Sequence, residues 1–287
     1  MTSGSDGNLW LTASSIDGDI ARITPSGVVS FLNVGSESPL PIDIVSGPDG
    51  NLWVTVNETS PFGFLGGVIS VPYIDRFSPT TSLGANFSLQ RQNAEVGLIE
   101  KGVNGDLWFT ELYDSHIGRI TTSGIITEFD TPGSNKYANA DDIAVAPDGN
   151  IWFTRQGGLF KMTPQGAFTQ IWSASNGVAY HVFIGPDQNV WFSASLAQIN
   201  AIAFIAGGSI TAVPLPAFPN QIAVGPDGNI WFTSVNNNAI GRLNVASIAA
   251  IQAVPVLSPW MLLLLPVVLS VIGVFVLSRH GAWFTIT

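Results

Sequence analysis

Short apolar segments alternate with compact polar turns along most of this chain. In one stretch, the apolar residues Ile143–Val145 are followed by the turn sequence Pro-Asp-Gly-Asn at residues 147–150 and by a second apolar segment, Ile151–Thr154. Proline presets φ and glycine accepts a positive φ, so this turn predicts a tight hairpin. A third segment such as Ile117–Ile120 and an alternating fourth one such as Ile125–Phe129 complete the unit. The pattern therefore predicts four antiparallel strands in each repeat.

Each repeat is centred on a tryptophan. The six copies carry Trp10, Trp53, Trp108, Trp152, Trp191 and Trp231, which are 43, 55, 44, 39 and 40 residues apart. A period near forty residues with strand-like content is typical of propeller blades. We therefore predict an all-β fold, a β-propeller of four-stranded blades over residues 1–250. The first repeat starts at a turn and is expected to lack its own innermost strand, so the complete protein is predicted to have seven blades.

Five of the ten basic residues fall at one repeat position, in the third strand. They are Arg22, Arg76, Arg119, Lys161 and Arg242, with Ala201 assigned to this position in the fifth copy. We interpret them as structural charges that pair with turn carboxylates or carbonyl groups between blades. A ligand-binding ring of arginines is the alternative.

The second repeat contains an insertion. Residues 57–73 lengthen the connection between its second and third strands by about ten residues, and Phe62, Phe64 and Leu65 make it apolar. A long loop can bind or gate a ligand. An extra hairpin lying on the propeller is the equal alternative.

Composition and charge exclude several classes of function. The chain has no cysteine, so disulfides, thiolate metal sites and a cysteine nucleophile are excluded. The net charge of −10 argues against a nucleic-acid partner, because phosphate binding needs a basic face. The mean hydropathy of +0.34 is high for a soluble protein, and the C-terminal segment contributes much of it.

That C-terminal segment has the composition of a membrane span. Residues 261–277 carry no charge, and Trp260 is suited to an interfacial position. We predict a linker at 251–258, a transmembrane helix at 259–279 and a short tail at 280–287; a buried core helix is the alternative. Arg279 and His280 follow the apolar run, which favours a cytoplasmic C-terminus and an external propeller.

The repeats resemble the virginiamycin B lyase family. The resemblance covers residues 4 to about 245 and is carried by the pattern Gly-Pro-Asp-Gly-Asn-Leu/Ile-Trp-Phe-Thr, then Ile-Gly-Arg-Ile, then Thr-x-x-Gly-x-Ile-Thr-Glu-Phe. It implies a seven-bladed propeller. It also implies magnesium-dependent elimination that opens a cyclic streptogramin B antibiotic, with a histidine base and glutamates on the axial face.

The chain departs from that family pattern in two ways. The family commonly has Glu directly after Trp-Phe-Thr, and only Glu111 matches it here. Family strands often begin Pro-His-Gly, whereas here Tyr180 takes that place and His181 follows it. Because a one-residue shift along a strand turns a side chain to the opposite face, His181 is expected to miss a substrate that Tyr180 would reach. His116 is expected to be a surface residue.

The loops of such blades predict where a site would lie. Residues just before the first strand and just after the second are expected on one axial face. Asp43, Asp142, His181 and Gln221 occupy equivalent repeat positions, four residues before the turn motif. A hard cation would suit their carboxylate and amide groups; solvated polar loops around a channel are the alternative. The candidate catalytic residues are His181 and Glu111, and the candidate ligand-binding residues are Asp43, Asp142, Tyr180, Gln221, Arg155 and Tyr113.

The residues before the apolar run resemble a second pattern. Residues 254–260, Val-Pro-Val-Leu-Ser-Pro-Trp, are similar to the Ile-Pro-Thr-Leu-x-x-Trp sorting signal of Gram-negative bacteria. The resemblance implies a sorting protease of the exosortase type as a partner and the cell envelope as the location. No signal peptide opens the chain, so we expect a fragment or a misassigned start.

Two functions remain open from the sequence. One is a membrane-anchored, exported propeller that binds a ligand (a small molecule or a cell-envelope ligand) or a protein partner on its axial face, without efficient catalysis. The other is a carbon–oxygen lyase of the virginiamycin B lyase type, with Mg²⁺ as its cofactor, acting on a cyclic depsipeptide or a lactone-like substrate.

Overall fold

The computed structural model describes most of the chain. It covers residues 1–15, 18–33, 39–60, 69–89, 94–112, 116–131, 140–173, 175, 177–196, 199–234, 238–248, 274–277 and 283–285. The described residues form six antiparallel sheets, which confirms the predicted all-β propeller class with four-stranded blades. These six sheets do not test the prediction that the complete protein has a seventh blade.

The six blades follow one another in chain order. Blade 1 contains β1 (Thr2–Ser3), β2 (Leu9–Ser15), β3 (Gly18–Ile23) and β4 (Val29–Leu32). Blade 2 contains β5 (Pro39–Ser46), β6 (Leu52–Ser60), β7 (Ile69–Phe77) and β8 (Gly84–Ser88). Blade 3 contains β9 (Glu95–Lys101), β10 (Leu107–Leu112), β11 (His116–Ile120) and β12 (Ile126–Asp130).

The second half repeats the same order. Blade 4 contains β13 (Ala140–Val145), β14 (Ile151–Arg155), β15 (Gly158–Met162) and β16 (Phe168–Trp172). Blade 5 contains β17 (Val178–Ile184), β18 (Val190–Leu196), β19 (Ile199–Ala206) and β20 (Ser209–Leu215). Blade 6 contains β21 (Ile222–Val224), β22 (Ile230–Ser234) and β23 (Ala239–Leu243), followed by the short helix α1 (Val245–Ile248) and then by β24 (Val274–Leu277) and β25 (Trp283–Thr285).

The chain divides into two compact units. The first comprises residues 1–156 and 162–168, and the second comprises residues 157–161 and 169–287. Each unit has buried apolar clusters that join neighbouring blades. In the first unit, Trp10 packs with residues of blade 2 and Trp53 with residues of blade 3. In the second unit, Trp191 packs with Ile230 and Phe232 of blade 6.

The first blade differs from the sequence prediction. Thr2 and Ser3 form β1, which pairs with Leu9 and Trp10 of β2. The blade therefore has a first strand of its own, although it is only two residues long. The prediction failed because so short a segment before a turn has no periodic pattern to read.

The turn aspartate explains why the tryptophan motif recurs. Asp49 accepts hydrogen bonds from the backbone N–H and the side-chain amide of Asn51 and from Trp53 Nε1, at 3.2, 2.8 and 3.0 Å. Gly50, the next residue after Asp49, has a positive φ of +77°, which glycine accepts without steric cost. In blade 6, Asp227 Oδ1 accepts from the backbone N–H of Asn229 and from Trp231 Nε1, while the Asn229 side-chain amide donates to the Asp227 backbone carbonyl. Interactions with the Asn229 and Trp231 side chains lower the pKa of Asp227 to about 2. The motif is thus a self-contained turn that orients an indole.

The repeated arginines have a structural role, as predicted. Their Cζ atoms lie over the tryptophan rings of their own blades, at 5.9, 5.5, 5.8 and 5.6 Å for Arg22–Trp10, Arg76–Trp53, Arg119–Trp108 and Arg242–Trp231. Three of them also pair with turn carboxylates, at 4.0, 3.8 and 3.0 Å for Arg76–Asp49, Arg119–Asp106 and Arg242–Asp227. Each of these four cations therefore covers one face of an indole, and three of them also link the third strand to the turn.

The fifth copy corrects the assignment at this position. The strand register places Phe204, and not Ala201, opposite Trp191. The two rings stack with centroids 4.5 Å apart, so an aromatic contact replaces the cation. The assignment was wrong because the hairpin between β18 and β19 continues to Leu196 and Ile199, a longer pairing than the repeat spacing suggests.

The insertion in blade 2 lengthens a hairpin. Strands β6 and β7 pair continuously from Leu52–Phe77 to Ser60–Ile69, so nine residues of each strand are in register. This favours the hairpin alternative for the insertion. Residues 61–68, with Phe62, Phe64 and Leu65, lie outside the described residues.

The C-terminal region differs from the predicted helix where it is described. Val274–Leu277 form a strand paired with β23, at the place of the fourth strand of blade 6. These β-branched and aromatic residues cover an otherwise unpaired strand edge. The rest of the predicted span at 259–279, and the sorting motif at 254–260, lie outside the described residues. The helices within the described ranges are too short or too polar to cross a bilayer.

Candidate functional site

One position recurs within or next to the first strand of several blades, four residues before the turn motif. A hydroxyl group twelve residues downstream accepts the backbone N–H of this position in four blades. The pairs are Asp43–Thr55 at 3.1 Å, Leu98–Thr110 at 3.0 Å, His181–Ser193 at 3.2 Å and Gln221–Thr233 at 3.2 Å. The equivalence predicted for Asp43, His181 and Gln221 is therefore confirmed at the level of the backbone.

Irregular pairing accompanies this position. The register shifts between Pro41 and Asp43 in blade 2, between Ala140 and Asp142 in blade 4, and between Ala179 and Val182 in blade 5. A β-bulge re-aims side chains and interrupts strict alternation. The expectation that His181 points away from the side of Tyr180 rested on alternation, and that rule does not hold inside the bulge.

The candidate residues of blade 5 lie in the second unit. Tyr180 is 37 % exposed, and its ring meets Phe218 edge-on with centroids 4.8 Å apart. His181 is partly buried. In blade 6 of the same unit, Gln221 is exposed. These residues offer an aromatic, an imidazole and an amide group that a ligand could contact.

Three carboxylates from first strands interact in the first unit. Asp43 on β5 accepts the backbone N–H of Ile99 on β9 at 3.1 Å through Oδ2. Burial raises the pKa of Asp43. Burial, followed by the charges of Asp43 and Asp142, raises the pKa of Glu100 to about 7. Sequence analysis missed Glu100, because blade 3 has Leu98 at the repeat position and Glu100 lies opposite Trp108.

The resemblance implies a magnesium ion, which can be compared with the ionisable side chains of the described residues. Within the described ranges, no group of three or more His, Cys, Asp or Glu side chains is placed to hold a metal ion. The hard-cation site predicted around Asp43 and Asp142 therefore has no such cluster among the described residues, and it stays a prediction, since Mg²⁺ commonly binds through one or two carboxylates and several waters.

Blade 3 carries a row of ionisable side chains across three strands. Glu111 on β10 is opposite His116 on β11, which is opposite Asp130 on β12. His116 Nε2 forms a short hydrogen bond with Asp130 Oδ1. Glu111 is fully buried and His116 is 5 % exposed. The expectation that His116 is a surface residue was wrong, because blade packing covers the ends of β10 and β11.

The remaining candidates have different environments. Arg155, which follows Thr154 as Glu111 follows Thr110, is 3 % exposed, and burial lowers its pKa. Asp142 is partly buried and accepts the backbone N–H of Ile143 at 2.8 Å. Tyr113 lies outside the described residues. The two described candidates that directly follow a threonine, Glu111 and Arg155, are thus buried. Among the described candidates, Tyr180 and Gln221 are the exposed ones.

Comparison with known proteins identifies the family. The model of the virginiamycin B lyase family matches residues 69–258, about two-thirds of the chain. The chain belongs to the virginiamycin B lyase family. The family assignment agrees with the Trp-centred repeats and explains their recurrence at a period near forty residues. A comparison with curated proteins gives no significant match.

Solved structures of virginiamycin B lyases are similar in fold. A streptogramin B lyase is 26 % identical, with a TM-score of 0.70, covering 85 % of this chain and 78 % of that one. A catalytically inactive virginiamycin B lyase from Staphylococcus aureus with quinupristin is 24 % identical, with a TM-score of 0.68, covering 89 % and 83 %. The selenomethionine form from the same organism is 23 % identical, with a TM-score of 0.70, covering 97 % and 90 %.

The raised pKa of Glu100 predicts how the stability of this family member depends on pH. Because the folded pKa of about 7 exceeds the unfolded value, the folded state binds the proton more tightly. The free energy of unfolding should therefore fall as the pH rises from about 5 to about 8, by on the order of 3 kcal/mol. Urea unfolding of the purified chain at several pH values measures the slope.

Two variants distinguish Glu100 from other groups. Glu100→Gln should reduce the slope and leave the part that Asp75 contributes at the lower end of the range, because burial raises the pKa of Asp75 to about 6. Glu95→Gln on the same strand should keep the full slope. A wild-type stability that is flat or rises between pH 5 and 8 would show that Glu100 is not buried as described.

Proposed function

We propose that this chain is a carbon–oxygen lyase of the virginiamycin B lyase type. Its substrate class is a cyclic depsipeptide of the streptogramin B kind or a lactone-like ester. The observation that carries the proposal is the family match over residues 69–258. The likeness to a streptogramin B lyase at 26 % identity supports it.

The chemistry of such a lyase is an elimination. A base removes the proton on the carbon next to a carbonyl, the electron pair forms a carbon–carbon double bond, and the bond from the adjacent carbon to the ester oxygen breaks. The ester leaves as a carboxylate, and the ring opens without addition of water. The step needs a base near neutrality and groups that stabilise the developing enolate.

His181 is the base in this proposal. Imidazole has an unperturbed pKa near neutrality, which suits proton abstraction. His181 lies in a bulged first strand beside the exposed Tyr180, where a substrate can approach. His116 is less suited, because it is buried and paired with Asp130. Glu111 has no exposed surface, which argues against direct contact of its carboxylate with a substrate.

The assay uses the purified chain and a streptogramin B. Mass spectrometry would detect a linear product of unchanged mass by its altered chromatographic retention and by the new unsaturation in its fragments, with and without magnesium. Ring opening with addition of water would indicate a hydrolase. If neither the linear product nor the hydrolysis product forms at any enzyme concentration, the lyase proposal is contradicted.

The second candidate is a propeller that binds the same class of ligand without efficient catalysis. The position where the family pattern has Glu, directly after Trp-Phe-Thr, favours this candidate. Val56, Ala194 and Ser234 occupy it here, and all three are buried and non-acidic. Saturable binding of the streptogramin in calorimetry, together with no product, would support this candidate over the lyase.

We also propose that the chain is held in the cell envelope by residues 259–279, with the propeller outside the cytoplasmic membrane and a sorting protease as its partner. In this membrane-bound form Val274–Leu277 belong to the span, as an alternative to their pairing with β23. The support is the uncharged run after the Val-Pro-Val-Leu-Ser-Pro-Trp sequence. Alkaline extraction of membranes from cells expressing the chain should leave it in the pellet.

A variant with Leu264→Arg and Leu269→Arg should shift the chain to the extracted fraction. Each arginine at the centre of a span disfavours insertion by about 2.5–3.5 kcal/mol. Substitution is preferable to deletion here, because a deletion after Ala253 also removes β24. Equal extraction of the wild type and this variant would refute the anchor.

A further inference from the structure

A cavity in the first unit lies between the last strand of blade 1 and the outer hairpin of blade 2. Its volume is about 240 Å³. Asp75 lines it, together with the polar side chains of Asn33, Ser82 and Asn86 and the apolar side chains of Leu32 and Phe77. Asp75 is 6 % exposed, whereas the three polar residues are exposed. The carboxylate is therefore the buried end of a cleft with a polar rim.

A carboxylate is unexpected at this repeat position. The position lies one residue before the repeated arginine and is glycine in blades 3 and 6. There it is covered by the phenylalanine of the opposite strand: a Cβ on Gly118 would overlap the ring of Phe109, and one on Gly241 would overlap Phe232. In blade 2 the opposite residue is Val54, which leaves room for the Asp75 side chain.

Among the described residues, Asp75 has no cationic side chain as a partner. No described residue forms an ion pair with it, and Arg76 is directed instead to Asp49, Trp53 and the carbonyl of Thr122. Burial raises the pKa of Asp75 to about 6, against a lowering by the backbone N–H of Arg76. The group is therefore mostly ionised at neutral pH, and a buried charge without a partner is costly.

We propose that this cavity binds the primary ammonium group of a small amine. The ammonium group donates to the Asp75 carboxylate and to the side-chain oxygens of Asn33, Ser82 or Asn86 at the rim, and the alkyl chain contacts Leu32 and Phe77. The volume equals about eight water molecules at ~30 Å³ each, enough for a short alkylamine. One negative charge matches one ammonium group.

A divalent metal fits the same walls less well. Ca²⁺ takes six to eight oxygen ligands, commonly with several carboxylates, and Mg²⁺ keeps several waters. This cleft has one carboxylate and two apolar walls. Its chemistry therefore favours an alkylammonium ion, and the inference stands whether or not the chain is a lyase.

The test uses n-butylammonium chloride as the probe and amide resonances of the purified chain as the readout. Titration should shift the resonances of Asn33, Ser82 and Asn86 saturably. A hydrogen bond to a charged group is worth about 1.5–3 kcal/mol, so Asp75→Asn should weaken binding roughly 10- to 100-fold. The same carboxylate-to-amide change at the exposed residue Asp141 is the control and should leave the affinity unchanged.

A second variant protects the test if Asp75→Asn misfolds. Asn86→Leu changes only the exposed rim and should weaken binding while leaving the spectrum of the blade core intact. The proposal is overturned if the probe causes no saturable shift in the wild type or if Asp75→Asn and Asn86→Leu both bind as the wild type does. It is also overturned if CaCl₂, and not the amine, shifts these resonances.

Discussion

Replacing Trp191 with alanine should lower the free energy of unfolding by about 3–5 kcal/mol, the range for loss of a buried aromatic side chain. Trp191 has no exposed surface, stacks on Phe204, and donates from Nε1 to Asp187 at 2.7 Å. It also belongs to the cluster that joins blades 5 and 6. The change therefore leaves a cavity and removes a hydrogen-bond donor from Asp187. Urea unfolding followed by circular dichroism measures the loss.

Trp231→Ala is the matched control for this prediction. Trp231 occupies the same position in blade 6 and donates to Asp227 at 3.1 Å, but it is partly exposed. Its loss should cost clearly less than that of Trp191, because less apolar surface returns to water. Equal losses for the two variants would mean that blade packing does not bury Trp191 more deeply than Trp231.

Replacing His181 with alanine should lower turnover of a streptogramin B by about 10²–10⁴-fold, the usual contribution of general acid–base catalysis. The expectation depends on the lyase proposal and on His181 as the base. The rate per folded molecule is the quantity to compare, after unfolding curves have shown how much of each variant is folded. Loss of turnover with preserved binding of the antibiotic would assign the effect to the chemical step.

His116→Ala separates catalysis from stability. His116 is buried and paired with Asp130, so its removal should lower the melting temperature and leave turnover per folded molecule near that of the wild type. If His116→Ala abolishes turnover and His181→Ala does not, the base has been assigned to the wrong histidine. If both variants turn over normally, neither imidazole is the base.

Blade 2 shows how one repeat acquires a feature that its neighbours lack. The tryptophan, its aspartate and its arginine are retained at Trp53, Asp49 and Arg76. The phenylalanine–glycine pair of blades 3 and 6 is replaced by Val54 and Asp75. The scaffold contacts are thus preserved while a polar group enters the outer part of the blade. The turn and the indole of blade 2 do not depend on the pair that is exchanged, so both are retained beside Asp75.

The candidate site could be predicted only in part. The equivalence of Asp43, His181 and Gln221 follows from their common distance to the turn motif, and the backbone bonds to Thr55, Ser193 and Thr233 agree with it. The side-chain directions could not be predicted, since bulges interrupt the alternation. Glu100 was also missed, because its environment depends on Asp43 and Asp142, which are far away in sequence.

The sequence by itself determined the repeat, the strand order within each blade, the turn and the structural use of the arginines. The turn depends on residues a few positions apart, such as Asp49, Asn51 and Trp53, and the strand order and the arginine contacts depend on residues of the same repeat. Tertiary structure alone decided that Phe204 and not Ala201 faces Trp191, that His116 is buried, and that Asp75 ends a cleft. Each of these features depends on the length of a hairpin or on packing between strands of different blades. The sequence of a single repeat predicts neither the hairpin length nor that packing.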